Sequence, residues 1–161
     1  MDLRLYHNSH EFYYRSSFGA VPSGSRLILR LRASGSDAQN CRARIRLWQI
    51  NVGESFVPMS YEDGIFTGIV TIPPKGCLLW YYFIIDDGHR TFYYGNNYDR
   101  LGGEGAKYPD VPPAYQVTVY DKDAHTPDWF KHAIVYQIFP DRFRHGTHTS
   151  GRLYGKKGAV I

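Results

Sequence analysis

Residues 26–32 read RLILRLR and residues 42–50 read RARIRLWQI. Laid out as extended chain, the first places Leu27, Leu29 and Leu31 on one face, with Arg26, Ile28, Arg30 and Arg32 on the other. The second turns Ile45 and Leu47 inward and Arg44, Arg46 and Trp48 outward. A period of two with one apolar and one wet face predicts antiparallel strands over a single core. Residues 78–85, LLWYYFII, are apolar on both faces, which predicts a central strand covered on both sides or lying under a partner domain, with Trp80 and Phe83 in the core. Segments 64–72 and 115–120 read as further strands. Turn residues punctuate the pattern at Pro22-Ser23-Gly24, Gly35-Ser36-Asp37, Val52-Gly53-Glu54, Glu62-Asp63-Gly64, Pro73-Pro74-Lys75-Gly76 and Asp86-Asp87-Gly88. No stretch keeps a helical period for three turns. The fold class expected is all-β.

The arrangement this predicts is an immunoglobulin-like β-sandwich over residues 1–122, well within what a 161-residue chain can build around one core. Nineteen Lys and Arg against 15 Asp and Glu leave a net charge of +4, which favours solubility and demands no polyanion. Aromatic residues make up 16% of the chain, including 14 Tyr and 3 Trp, and suit both β-structure and a surface that stacks on flat ligand faces. No apolar run approaches the ~18 residues of a membrane span, and MDLRLYHNSH has no apolar segment behind a basic start. Cys41 and Cys77 make no disulfide framework and read as free thiols. A cytoplasmic chain with no membrane contact is expected.

Residues 95–113 hold Asn96, Asn97, a glycine cluster and three prolines, and read as a long irregular loop of the kind that serves function or contact. Residues 123–132 read as a linker, being polar and containing Pro127. Then comes AIVYQIFPDRF (133–143), a buried parallel strand by composition that stops at Pro140. A charged pair after such a strand sits where barrel enzymes place functional groups, yet residues 144–161 are far too few for the ~250 residues of a complete barrel. These Gly-rich, basic residues are expected to be poorly ordered. Residues 133–161 therefore read as the start of a barrel and a tail.

Trp129-Phe130, followed by Tyr136-Gln137-Ile138-Phe139-Pro140-Asp141-Arg142-Phe143, resembles the opening of the catalytic barrel in the α-amylase family, glycoside hydrolase family 13, in its neopullulanase, cyclomaltodextrinase and amylopullulanase-like branch. Upstream, His7-Asn8-Ser9, Tyr14-Arg15-Ser16, Phe18-Gly19-Ala20-Val21-Pro22, Leu29-Arg30-Leu31-Arg32, Tyr82-Phe83-Ile84, Asp87-Gly88 and Gln116-Val117-Thr118-Val119-Tyr120 resemble the all-β domain that precedes that barrel, carbohydrate-binding module family 34. The resemblance implies the N-terminal domain of an α-glucan-degrading enzyme, with the catalytic carboxylates on later barrel strands. It therefore assigns no catalytic residue here, and Asp141 is expected to pair structurally with Arg142. The branch often carries a calcium segment just after this motif. Here Arg144-His145-Gly146-Thr147 offers no carboxylate, so neither a metal nor another cofactor is expected.

The candidate carbohydrate contacts are Trp48 and Arg46 on one strand and Tyr93-Tyr94 leading into the Asn96-Asn97 loop, since sugar rings stack their C–H faces on aromatics and bond their hydroxyls to planar polar groups. The partners this predicts are α-glucan or maltodextrin and the catalytic barrel of the same enzyme. The competing reading is a protein-interaction sandwich without sugar affinity, whose outward aromatics pack against that barrel or a second copy in a homodimer. Trp129 is then a wedge between domains. A remoter alternative is a single-stranded nucleic-acid binder built on the Arg44, Arg46 and Trp48 stripe, which the modest net charge argues against.

Overall fold

The alternating segments become strands β3 (Arg26–Ser34) and β4 (Arg42–Gln49), with Leu27, Leu29, Leu31, Ile45 and Leu47 all buried. These belong to a computed structural model in which residues 3–139 are described. Their neighbours in chain order are β1 (Arg4–Tyr6), β2 (Val21–Pro22), β5 (Gly53–Pro58), β6 (Ser60–Glu62), β7 (Ile65–Thr71), β8 (Cys77–Asp86), β9 (Thr91–Gly95), β10 (Ala106–Tyr108) and β11 (Tyr115–Tyr120). The residues up to Ala124 form one compact unit.

Two sheets form, as a chain with many one-sided strands must arrange to hide them. The smaller has the order β1-β3-β7-β6. The larger is organised by β8, whose ten residues pair along one edge with β4, from Asp86 opposite Arg42 to Leu79 opposite Gln49. Its other edge is shared: Cys77 to Tyr81 pair with β11, and Phe83 to Asp86 pair with β9. Outside these lie β5 against β4, β10 against β9, and β2 in parallel with the end of β11. The sheets meet across Leu29, Leu31, Phe66 and Val70 on one side and Ile45, Tyr81, Phe83 and Val117 on the other. At Gly68 the approach is so close that a Cβ would stand 2.5 Å from Ile45 Cδ1, so this strand position has room only for glycine. Cys41 and Cys77 are free.

A histidine lies inside the sandwich. His7 is fully buried, with Nδ1 2.7 Å from the Arg30 carbonyl and Nε2 3.0 Å from the Tyr81 hydroxyl. The carbonyl can only accept, so Nδ1 carries the proton and Nε2 accepts from Tyr81. The rings of Phe83 and Tyr115 flank the imidazole edge-on at 4.8 and 5.1 Å. Burial pulls its pKa down to about 4, helped by the charge of Arg15 and opposed by the Arg30 carbonyl. A neutral histidine thus joins the small sheet to the large one.

The residues from His125 onward begin a second unit. Within it a short helix, α1 (Asp128–Lys131), sets Trp129 edge-on to Phe130 and bonds Lys131 Nζ to Asp128 at 2.7 Å. The run from Ala133 to Phe139, expected to be a barrel strand, forms no ladder and is not a strand in the structure. Tyr136 and Gln137 lie in it, and no described strand pairs with it. Pro140, Asp141 and Arg142 lie outside the described residues, as do the Arg144-His145-Gly146-Thr147 segment and the Gly-rich tail.

Candidate functional site

Three of the candidate contact residues, Trp48, Arg46 and Tyr93, lie on the outward face of the larger sheet. In the register, Glu54 stands opposite Trp48, Trp48 opposite Trp80, and Trp80 opposite Gln116, so these four side chains form one row across β5, β4, β8 and β11. The two indoles are partly exposed, with ring centroids 5.0 Å apart and planes tilted by 54°. The next row is Phe56, Arg46 and Tyr82. Arg46 Nε donates to Glu54 Oε1 at 3.0 Å, its Nη2 pairs with the same oxygen, and its guanidinium lies 5.2 Å from the centre of the Tyr82 ring. Arg46 is thereby held flat against the sheet beside Trp48. Tyr93, opposite Ile84, completes the face and lies 6.1 Å from the Tyr82 ring.

Two expectations need correction. Trp80 is on this outer face and not in the core, because β8 turns Leu79, Tyr81, Phe83 and Ile85 inward and the intervening residues outward. Tyr94 belongs to the core: it is opposite Phe83, is 2% exposed, and donates its hydroxyl to the His7 carbonyl at 3.1 Å. Burial pushes that hydroxyl up to about 12. Trp48, Arg46 and Tyr93 share one face, and Tyr94 points the opposite way. Strand parity was the signal that could have found Trp80, once β8 was aligned antiparallel to β4 with Trp48 and Trp80 paired.

Trp80 also floors a cleft of about 610 Å³ that opens toward the loops. Gln116 and Thr118 continue the floor, and the walls come from the Arg15 to Ala20 segment and the Asn96 to Gly102 loop. Arg15 reaches across the edge of β11 beyond β2, where its Nη2 donates to the Gly19 carbonyl at 2.6 Å and its Nη1 to the Gln116 carbonyl at 3.4 Å. The opposite wall is pinned by two amides: Asn96 Oδ1 accepts from the Gly102 N–H at 3.0 Å, and Asn97 Nδ2 donates to the Gly102 carbonyl at 2.7 Å. Gly102 adopts φ +77°, a left-handed backbone that favours glycine, and it packs directly against the His10 ring. The 95–113 loop is therefore built, and contains β10, where an irregular segment was expected.

Chemically, this face offers aromatic planes, the planar cations of Arg42, Arg44 and Arg46, and hydrogen-bonding groups at its ends. Glu54, the carboxylate in the indole row, is already engaged by Arg46. Among the described residues there is no cluster of three or more metal-ligating side chains. No described helix is long and apolar enough to cross a membrane.

No family model matches the chain. It is 40% identical over 153 residues, 88% of its length, to an amylopullulanase of Thermoanaerobacterium thermosulfurigenes, of which it covers 8%. With an amylopullulanase of Thermoanaerobacterium saccharolyticum the identity is 40% over 152 residues, covering 12% of that protein. A third, from Thermoanaerobacter thermohydrosulfuricus, is 38% identical over 162 residues, 94% of this chain and 10% of the relative. The chain thus spans about a tenth of the length of these curated relatives and is related to one segment of them.

Proposed function

We propose that this chain is the N-terminal part of an α-glucan-degrading glycoside hydrolase of the amylopullulanase kind, and that its sandwich, a module like carbohydrate-binding module family 34, holds glucan rather than cleaving it. Similarity at 40% identity over 88% of the chain carries the first half of this reading. The Trp48 and Trp80 row supports the second, because two tilted indoles suit the C–H faces of consecutive glucose rings, while Arg46, Glu54 and Gln116 provide hydrogen bonds at the margins. The enzyme as a whole would hydrolyse α-1,4 or α-1,6 glucosidic bonds, using a carboxylate pair on a barrel that succeeds the sandwich in the chain.

Titration with maltoheptaose and β-cyclodextrin, followed by NMR, tests the sugar contact. The indole N–H signals of Trp48 and Trp80 should shift, and Trp48→Ala and Trp80→Ala should each weaken the response. Indoles silent to both sugars would overturn the binding role and favour an aromatic face that packs on the barrel or on a second copy.

A further inference from the structure

The cleft beside Trp80 carries a charge that the sandwich does not neutralise. Arg15 is 6% exposed and lines the cleft, and its Nε has no partner among the described residues. Its two bonds go to neutral carbonyls, and neither Arg15 nor Arg100 forms an ion pair with a described residue. A buried cation without a counter-charge is costly, and proteins ordinarily pair it. Its field is felt across the core, where Arg15 helps keep His7 neutral. Around this floor stand Arg100, whose guanidinium bonds to no described residue, and His10, whose ring packs edge-on to Phe18 at 5.3 Å. Ser9 adds a hydroxyl that already accepts from the Gly103 N–H and keeps its own proton to donate. No carboxylate is among the described residues that line the cleft.

We propose that this cleft is an oxyanion subsite, and that the ligand spanning it and the tryptophan row is an α-glucan bearing a phosphate ester. The sugar half of this inference rests on the glucan reading above; the oxyanion half rests on the cleft alone. An arginine fork matches phosphate oxygens in a way that a glucose hydroxyl does not require. Because Trp80 belongs to both the indole row and the cleft floor, a glucan chain stacked on the indoles would carry its substituent directly into the positive cleft. Phosphate would then supply the charge that Arg15 lacks.

The test uses the whole 161-residue chain and three probes monitored by NMR: inorganic phosphate, maltoheptaose, and a phosphorylated maltodextrin of the same length. Phosphate alone should shift the amides of Gly102 and Gln116. The phosphorylated sugar should bind roughly fivefold tighter than the plain one, the factor that an exposed charge pair can supply. Arg100→Asn should abolish this preference, since asparagine tolerates the left-handed backbone of Arg100 (φ +59°) while removing the charge. Cleft amides silent to phosphate, with indoles responding equally to both sugars, would overturn the subsite and leave glucan binding intact. A cleft that responds to phosphate while the indoles ignore every sugar would overturn the phosphoglucan ligand, and the glucan reading with it.

Discussion

On the small sheet, two of the outward arginines of β3, Arg30 and Arg32, lie against the chain's own aromatic rings, while Arg26 is exposed. Arg30 lies 4.8 Å from the centre of the Tyr13 ring and donates to the Tyr13 carbonyl at 2.6 Å, while Arg32 lies 5.9 Å from Tyr6 and 5.7 Å from Tyr14. The segment from Tyr14 to Ser16 is itself bonded to β3, through the Arg30 N–H to the Tyr14 carbonyl and the Ser16 N–H to the Ile28 carbonyl. On the large sheet the polarity of the arrangement is reversed. There the aromatic residues are the outward row, and Arg44 and Arg46 lie against Phe56 and Tyr82 while the indoles stay partly open. Both faces use the same cation–π contact. On the small sheet it ties arginines to rings that precede the strand, and on the large sheet it borders a pair of partly exposed indoles. The large sheet is therefore where a ligand or partner would gain most from contact.

If the faces differ only in what they present outward, the layers beneath them should be equivalent. Leu29→Ala under the small sheet should cost about 2–5 kcal/mol and Phe83→Ala under the large sheet about 3–5 kcal/mol. The shift in urea midpoint would measure both. A cost near zero at either position would mean that the sheets do not share one core.

His7 joins the two sheets, and acid should separate them. Its folded pKa of about 4 lies below the ordinary value of 6.5, so the unfolded chain takes up the proton first. The stability from neutral His7 is fully present above about pH 6.5 and is lost as pH falls toward about 4, a span worth roughly 3 kcal/mol at ~1.4 kcal/mol per pH unit. Urea unfolding between pH 7 and pH 4 would show the slope, and His7→Gln should flatten it. An unchanged slope in that variant would remove His7 from the account.

Binding should then distinguish the outer faces. Trp80→Ala should weaken maltoheptaose about tenfold, as losing a stacking platform commonly costs 1–3 kcal/mol. Arg30→Ala should leave sugar binding unchanged and lower stability by roughly 0.5–1 kcal/mol, the worth of an exposed cation–π contact. Calorimetry on the two variants gives both numbers. Equal losses of sugar affinity would erase the distinction.

Sequence made the two sheets visible where the faces contrast chemically. In β3 and β4, arginine alternates with leucine and isoleucine, so parity can be read directly. In β8 and β9 both faces are apolar or aromatic, and LLWYYFII and FYY contain nothing to mark which side is wet. This is why Trp80 was expected inside and Tyr94 outside, and only the register with β4 and between β8 and β9 reverses them. The cleft could not be read at all. Arg15, Trp80 and Arg100 are far apart in sequence, and what joins them is a carbonyl at the edge of β11 and two asparagines that fold the 96–102 loop back on itself.

The smallest expected effect decides how the indole row is framed. Arg46 and Glu54 are an ion pair on a partly wet surface, so a double-mutant cycle should give a coupling of only about 0.2–1 kcal/mol, weakening in high salt. Stability is thus a poor reason for placing the pair beside Trp48. Positioning is a better one, because the bond fixes a carboxylate at the end of the row, where a hydroxyl of a stacked glucose could donate to it. Glu54→Gln keeps an acceptor oxygen there and should change sugar affinity by less than about twofold, whereas Glu54→Ala should lose roughly fivefold, the worth of one hydrogen bond of about 1 kcal/mol. Equal affinities for both variants would show that Glu54 serves Arg46 alone, and that the indoles hold sugar by stacking without a polar margin.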